Sequence, residues 1–203
     1  MRNRLTPDAR KSDILAQARQ LFVQNGYTRT EMEDIRYASG ISRGGLYHHF
    51  ANKGAILAAI VSAEIDELVS AMQLSDSSPI EFLLETGSGQ LGHEVGILTA
   101  LESQEEKTAY LSYVDAAISQ HLSPVLGEKL AEYARPNIDP NHVAELFLIV
   151  NAHINRRLIL QDWSNPQAAA FAATALTALV PYLSDDKRLG RIIHRLQEKG
   201  MET

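Results

Sequence analysis

Between Ser42 and Lys53 the chain gathers the donor types that grip a polyanion. Arg43 brings a guanidinium fork, His48 an imidazole, Tyr47 a phenol, Ser42 a hydroxyl and Lys53 an ammonium. Gly44 and Gly45 stand among them. Each glycine lowers helix propensity by roughly 1 kcal/mol relative to alanine. A sequence tolerates that more readily where bare backbone must come close to something. Arg43 and His48 suit base edges, while Tyr47, Ser42, Lys53 and the nearby Thr30 suit phosphate. The chemistry is recognition of double-stranded DNA, with Gly44 and Gly45 allowing close approach. The competing reading is an ordinary helical hairpin with a solvated face.

Other chemistries find little support in the residues. No nucleophile–base spacing, paired-carboxylate motif or metal constellation is present, so no enzyme, cofactor or metal is expected. His48 and His49 are adjacent and point about 100° apart on a helix, a poor joint ligand pair. Gly87-Ser88-Gly89-Gln90-Leu91-Gly92 matches a dinucleotide fingerprint but lacks the strand and βαβ frame that motif needs. It reads instead as a mobile break between helices. His93-Glu94 begins a zinc-protease motif, but position 97 is Ile. With no cysteine, thiolate metal sites, disulfides and thiol redox sensing are excluded.

The elements that must position the donors follow from local signals. Thr30 and Glu33 have capping-box spacing, which predicts a helix from Glu31. Met32, Ile35 and Ala38 share one face of it. Ser39-Gly40 stops it, with Gly40 free to turn left-handed, and Ile41 is an apolar peg in the turn. Ser42 caps a second helix starting at Arg43, with Leu46 and Phe50 on its buried side. Helix, glycine turn, helix is the helix-turn-helix layout. Ahead of it, Thr6-Pro7 starts a helix lined by Ile14, Ala18, Leu21 and Phe22, and Asn25-Gly26 closes it. Residues 1–5, with Arg2 and Arg4, read either as an arm touching DNA or as a frayed terminus.

The stretch GYTRTEMEDIRYASGISRGGLYHHFANKGAIL resembles the DNA-binding region of the TetR family of bacterial one-component repressors. The match rests on Gly26, Tyr27, Thr30, Asp34, Ile35, Gly40, Ser42, Gly44, Leu46, Tyr47, His49, Phe50 and Lys53. Glu31, Arg36, Gly45 and Gly54 depart from the family pattern. The resemblance implies an all-α protein. A three-helix DNA-binding domain would occupy residues 1–52, and a larger helical effector-binding and dimerisation domain residues 53–203. It further implies a homodimeric repressor released from its operator by a small molecule. The alternatives are a DNA-binding dimer without an effector, or a helical enzyme.

The rest of the chain fits this division. Net charge is −6, yet residues 1–55 carry nine Lys/Arg against five Asp/Glu, and residues 56–203 carry ten against twenty. A basic head on an acidic body confines polyanion attraction to one end. Lys53 to Leu74 reads as one long helix on Leu57, Val61, Ile65, Leu68 and Met72. Five of the seven prolines (Pro7, Pro79, Pro124, Pro140 and Pro166) follow Ser, Thr, Asp or Asn, as at repeated helix starts. Residues 103–107 read as an acidic, solvated stretch. Beyond it, Tyr110 and Tyr113 could direct an effector, or be packed residues with wet polar tips.

A helix from Asp139-Pro140 to about Asp162 buries Val143, Leu146, Phe147, Val150, Ile154 and Leu158, with Leu148 and Ile149 widening the stripe. Its polar insertions Asn151, His153 and Asn155 are either effector or interface contacts, or simply exposed. The alanine-rich stretch 168–180 permits close helix approach, and in the resembling family such a helix pair meets its two-fold mate. The basic amphipathic tail, with Leu189, Ile192, Ile193 and Leu196, is expected to pack on the body. No apolar run is long enough for a membrane span and no signal-peptide pattern opens the chain, so the cytoplasm is the expected location.

Overall fold

A computed structural model describes residues 6–90, 97–184 and 186–201. Among them the chain is all-helical. It runs α1 (Pro7–Asn25), α2 (Met32–Ser39), α3 (Arg43–His49), α4 (Lys53–Leu74), α5 (Pro79–Gln90), a 3₁₀ turn (Ile97–Ala100) and α6 (Gln104–Ala117). A π turn (Ile118–Leu122), α7 (Ser123–Leu130), α8 (Pro140–Ile159), α9 (Asn165–Leu179), a 3₁₀ turn (Val180–Tyr182) and α10 (Asp186–Gly200) follow. All five prolines stand in the first turn of a helix, but the residue before them caps it only at Thr6, Ser78 and Asp139. Asn165 lies inside α9 behind the cap Ser164, and Ser123 lies inside α7, which carries on from the π turn without a side-chain cap. The expected arm at residues 1–5 and the His93-Glu94 pair lie outside the described residues.

Packing divides the chain into two compact units. The first holds the described residues of Met1–Glu64 and Gly92–Val114, the second those of Ile65–Leu91 and Asp115–Thr203. The core of the first unit joins Ile14, Ala18 and Phe22 of α1, Ile35 of α2, Leu46 of α3 and Ile56, Leu57, Ile60 and Val61 of α4. Ile97, Leu101, Tyr110, Leu111 and Val114 complete it. Each helix thus turns one stripe inward, as its apolar spacing requires.

In the second unit α8 packs on α7 and α9, and α10 lies along α9. Gly127 lies so near α8 that an added Cβ would fall 2.2 Å from Asn141 Oδ1. The alanines of α9 admit close neighbours: Ala168, Ala172 and Ala173 are buried, and Gly200 of α10 meets Ala170. Leu189, Ile192 and Ile193 of α10 are buried, so this tail packs on the body as expected. Lys129 Nζ donates to the Met72 and Gln73 carbonyls at 3.0 and 3.1 Å, satisfying the open end of α4.

Several local expectations are corrected. The capping box of α2 is Glu31–Asp34, not Thr30–Glu33, and the helix starts at Met32. Residues 87–90 continue α5 instead of breaking it, because glycine lowers helix propensity without forbidding the helix. Leu91 and Gly92 lie outside the described residues. α8 ends at Ile159, before Gln161 takes a φ of 61°. Leu146 and Ile149 point outward, at 46% and 65% exposure, while Ala144 and Leu148 take the inner face. The stretch 103–107 is more than a solvated face: Ser103 and Glu106 form the cap of α6.

Candidate nucleic-acid interface

α3 presents a short polar face held by two local devices. Gly40 adopts the left-handed conformation (φ 60°, ψ 29°), and the Gly40 and Ile41 N–H groups donate back to the Tyr37 and Arg36 carbonyls. Ser42 then caps α3 by accepting from the Gly45 N–H at 3.1 Å. Leu46 and Phe50 fasten the helix from beneath. What remains outside is Ser42, Arg43, Gly44, Tyr47 and His48, all exposed. The Arg43 guanidinium lies 5.9 Å over the Tyr47 ring.

The two glycines differ in kind. A Cβ on Gly44 would meet nothing within 4 Å, so that position is open for close approach. A Cβ on Gly45 would fall 2.8 Å from Ile41 Cγ1. A side chain at position 45 would therefore crowd the turn peg Ile41 unless that peg shifted, and Gly45 is only partly outward.

Thr30 and Lys53 do not join this face. Thr30 is fully buried, and its hydroxyl donates to the Gly26 carbonyl at 2.9 Å, with the Leu21 carbonyl at 3.3 Å. It ties the end of α1 to the start of α2 and offers no accessible side-chain oxygen to a phosphate. Lys53 Nζ donates to the carbonyls of Tyr27 (2.6 Å), Thr28 (3.1 Å) and Thr30 (2.9 Å) and lies 4.5 Å over the Tyr27 ring. An ammonium has three donors, and all three are engaged within the protein.

Neighbouring groups brace the elements on either side of the turn. On the outer face of α2, Tyr37 is 71% exposed, Arg36 stacks over it at 4.0 Å, and Glu33 accepts from Arg36 Nε at 2.7 Å. The turn Gly26–Thr30 is gripped by Glu102 and Glu106. Burial pushes the Glu106 carboxyl up. Hydrogen bonds from the Ser103 N–H, the Thr28 hydroxyl and the Glu102 N–H outweigh burial and hold it below its ordinary value. Burial, with the neighbouring Tyr113 and Glu106, pushes the Tyr27 phenol up. The Ser103-x-x-Glu106 spacing was a legible sign of that cap.

The four effector candidates are not brought together within either unit. Tyr110 is 2% exposed in the core of the first unit, where burial and Glu64 push its phenol well up against the opposing effect of Arg19. Tyr113, half-buried, puts its phenol oxygen 2.9 Å from where a Gly54 Cβ would stand. In the second unit Asn151 accepts from Asn155 Nδ2 at 3.2 Å. His153 packs edge-on against Trp163 at 5.3 Å and tilted against Phe171 at 5.4 Å. A cavity of about 20 Å³ among Ser78, Ile80, Leu130, Tyr133, Leu183 and Leu189 touches none of the four and has room for one water. Among the described residues no group of three or more His, Asp or Glu could hold a metal ion. No described helix is long and apolar enough to cross a membrane.

Comparison with known proteins agrees with this geometry. The family profile described as bacterial regulatory proteins, tetR family, matches residues 14–60, which span α1 to the first turns of α4. The uncharacterized HTH-type transcriptional regulator YfiR of Bacillus subtilis (strain 168) is 35% identical over 195 residues, covering 89% of this chain and 95% of YfiR. The HTH-type transcriptional activator FasR of Mycolicibacterium smegmatis is 35% identical over 71 residues. That match covers 35% of this chain and only 32% of FasR. Among solved structures, RolR in complex with resorcinol has a similar fold. Its TM-score is 0.60 at 15% identity, over 93% of this chain and 94% of RolR. YfiR and FasR are both named as HTH-type regulators of transcription.

Proposed function

Because the chain belongs to the TetR family of bacterial regulatory proteins and is a DNA-binding transcriptional regulator, we propose that it is a homodimeric cytoplasmic repressor that leaves its operator when a small molecule binds. The observation that carries the reading is the exposed α3 face of Ser42, Arg43, Gly44, Tyr47 and His48 on a firmly capped helix. Residues 1–52 read DNA, and residues 53–203 sense the effector and dimerise. Arg43 and His48 meet base edges, and Tyr47 and Ser42 meet phosphate. One α3 of seven residues gives little affinity, whereas two placed ~34–36 Å apart engage successive half-sites.

The surface proposed for the second copy is the outer face of α8 and α9. Leu146, Ile149 and His153 form an i, i+3, i+7 row on α8, and Phe171 of α9 extends it. An exposed apolar face of this kind fits an interface between identical chains. RolR was solved with resorcinol; that ligand is RolR's own and supports here only a small molecule as the class of effector. Binding of a molecule that prefers the DNA-incompetent arrangement lowers DNA affinity by linkage.

The reading is tested by fluorescence anisotropy on duplexes selected from a random pool with the wild-type protein. Tyr47→Phe is expected to weaken binding about equally across sequences, and unaltered affinity would remove the phosphate role. A thermal-shift screen then separates the two regulatory modes. A molecule that raises Tm and releases DNA supports an effector, while DNA binding that no molecule in the screen alters favours an effector-independent dimer.

A further inference from the structure

Five residues, Gly26–Thr30, connect α1 to α2, and the protein holds them from two sides. Lys53 at the start of α4 takes three of their carbonyls. The segment from Ala100 to Glu106 takes the other side. The Tyr27 N–H donates to the Ala100 carbonyl at 2.9 Å. Arg29 Nη2 donates to Glu102 Oε1 at 3.0 Å, and the Thr28 hydroxyl donates to Glu106 Oε1. The second oxygen of Glu106, Oε2, accepts from the Glu102 N–H at 2.8 Å and the Ser103 N–H at 3.0 Å. One carboxylate therefore fixes the start of its own helix and the turn before α2.

From this geometry we infer that Glu106 is a positioning residue for DNA reading, acting through Thr28 and never touching DNA itself. The inference rests on the DNA-reading assignment above. Thr30, the last residue of the turn, adjoins the α2 cap Glu31, so fixing the turn fixes where α2 begins, and α2 leads through Gly40 into α3. An exposed ion pair such as Arg29–Glu102 contributes little alone. Here three contacts from one segment converge on three consecutive residues, and Lys53 closes the opposite side. A reader held in one pose loses less conformational freedom when it docks, which favours affinity. Releasing the turn therefore weakens DNA binding without removing any contact to the duplex.

The competing role for Glu106 is a cap for α6 and nothing more. Two substitutions separate them. Thr28→Val removes the tie and leaves the cap whole. Ser103→Ala weakens the cap by removing the hydroxyl that accepts from the Glu106 N–H at 3.1 Å, and leaves the tie. On a selected duplex, Thr28→Val is expected to bind about fivefold more weakly, with the slope of log affinity against log salt unchanged. Ser103→Ala is expected to bind within about twofold of wild type. Adding Thr28→Val to Glu106→Ala should produce little further loss, as for two ends of one contact.

Wild-type affinity in Thr28→Val overturns the inference. So does a salt slope reduced by about one, which would make Thr28 a phosphate contact. Fully additive losses in the double variant, or a Ser103→Ala loss equal to that of Thr28→Val, also overturn it. Failure of the wild type to bind any duplex would sink the DNA-reading assignment instead. In that case hydrogen exchange decides the tie on its own: the α2 and α3 amides should exchange faster in Thr28→Val, and unchanged exchange refutes it.

Discussion

Replacing Lys53 by methionine separates two roles that a lysine at a helix start can play. In the structure its ammonium donates to the carbonyls of Tyr27, Thr28 and Thr30 at 2.6, 3.1 and 2.9 Å, with the Tyr27 ring at 4.5 Å. Methionine keeps the length of the stem and removes all three donors. Hydrogen bonds to charged groups contribute about 1.5–3 kcal/mol each, and the ring contact about 0.5–1 kcal/mol. Water can reach the partly exposed carbonyls once the ammonium is gone, so the contributions do not add in full. A loss of about 2–4 kcal/mol is expected, and in a chain of this size each kcal/mol lowers Tm by about 2–4 °C. Urea and thermal melts followed by circular dichroism measure it. Lys53→Arg should recover only part, because a planar fork cannot address three convergent carbonyls as an ammonium does. The opposite outcome refutes the reasoning. Stability equal to wild type, with the salt slope of duplex binding reduced by about one, would make Lys53 a phosphate ligand and not a clamp.

Three further outcomes are expected. Gly45→Thr should destabilise by about 1–3 kcal/mol through overpacking against Ile41, and Ile41→Ala in the same chain, which removes Cγ1 and Cδ1, should restore part of it in a double-mutant cycle by denaturant melts. Glu106 sits below its ordinary value of 4.5, so the folded state binds its proton less readily than the unfolded chain. Its contribution is present above that ordinary value and lost as pH falls through the lowered one. Denaturant melts at pH stepped down from above 4.5 should therefore show wild type losing stability that Thr28→Val has in part already lost; parallel curves would contradict this. Ile149→Asp, at an exposed apolar site, should leave the fold intact and shift sedimentation toward monomer, and an unchanged sedimentation coefficient would move the proposed dimer surface elsewhere.

The sequence made the reader's local geometry plain wherever one residue type has one physical use. Gly40 had to be the turn, Ser42 had to cap α3, and Thr6, Ser78 and Asp139 ahead of a proline had to open helices, whereas Ser123-Pro124 only carries one on from a π turn. Lys53–Leu74 was readable from its apolar spacing alone. The positions harder to read are those where two uses compete and tertiary contacts decide. Thr30 and Glu31 can both cap, and burial of Thr30 against α1 hands the cap to Glu31. The ammonium of Lys53 suits phosphate or carbonyls equally, and only the fold brings three carbonyls within its reach. Leu146 and Leu148 are alike in a sequence, yet α8 turns one outward and one inward. Tyr110 shows the same limit, since a tyrosine among apolar neighbours reads alike as pocket wall and as core.

The aromatic group on α8 and α9 has a practical consequence. Trp163 is the single tryptophan of the chain, and it touches His153 and Phe171 at 5.3 and 5.1 Å. Emission excited in the indole band therefore comes from that one place, beside the row proposed to meet a second copy. A spectral change on dilution would report the parting of two chains with no label attached. A change on adding duplex alone would mean that occupancy at α3 is felt at α8.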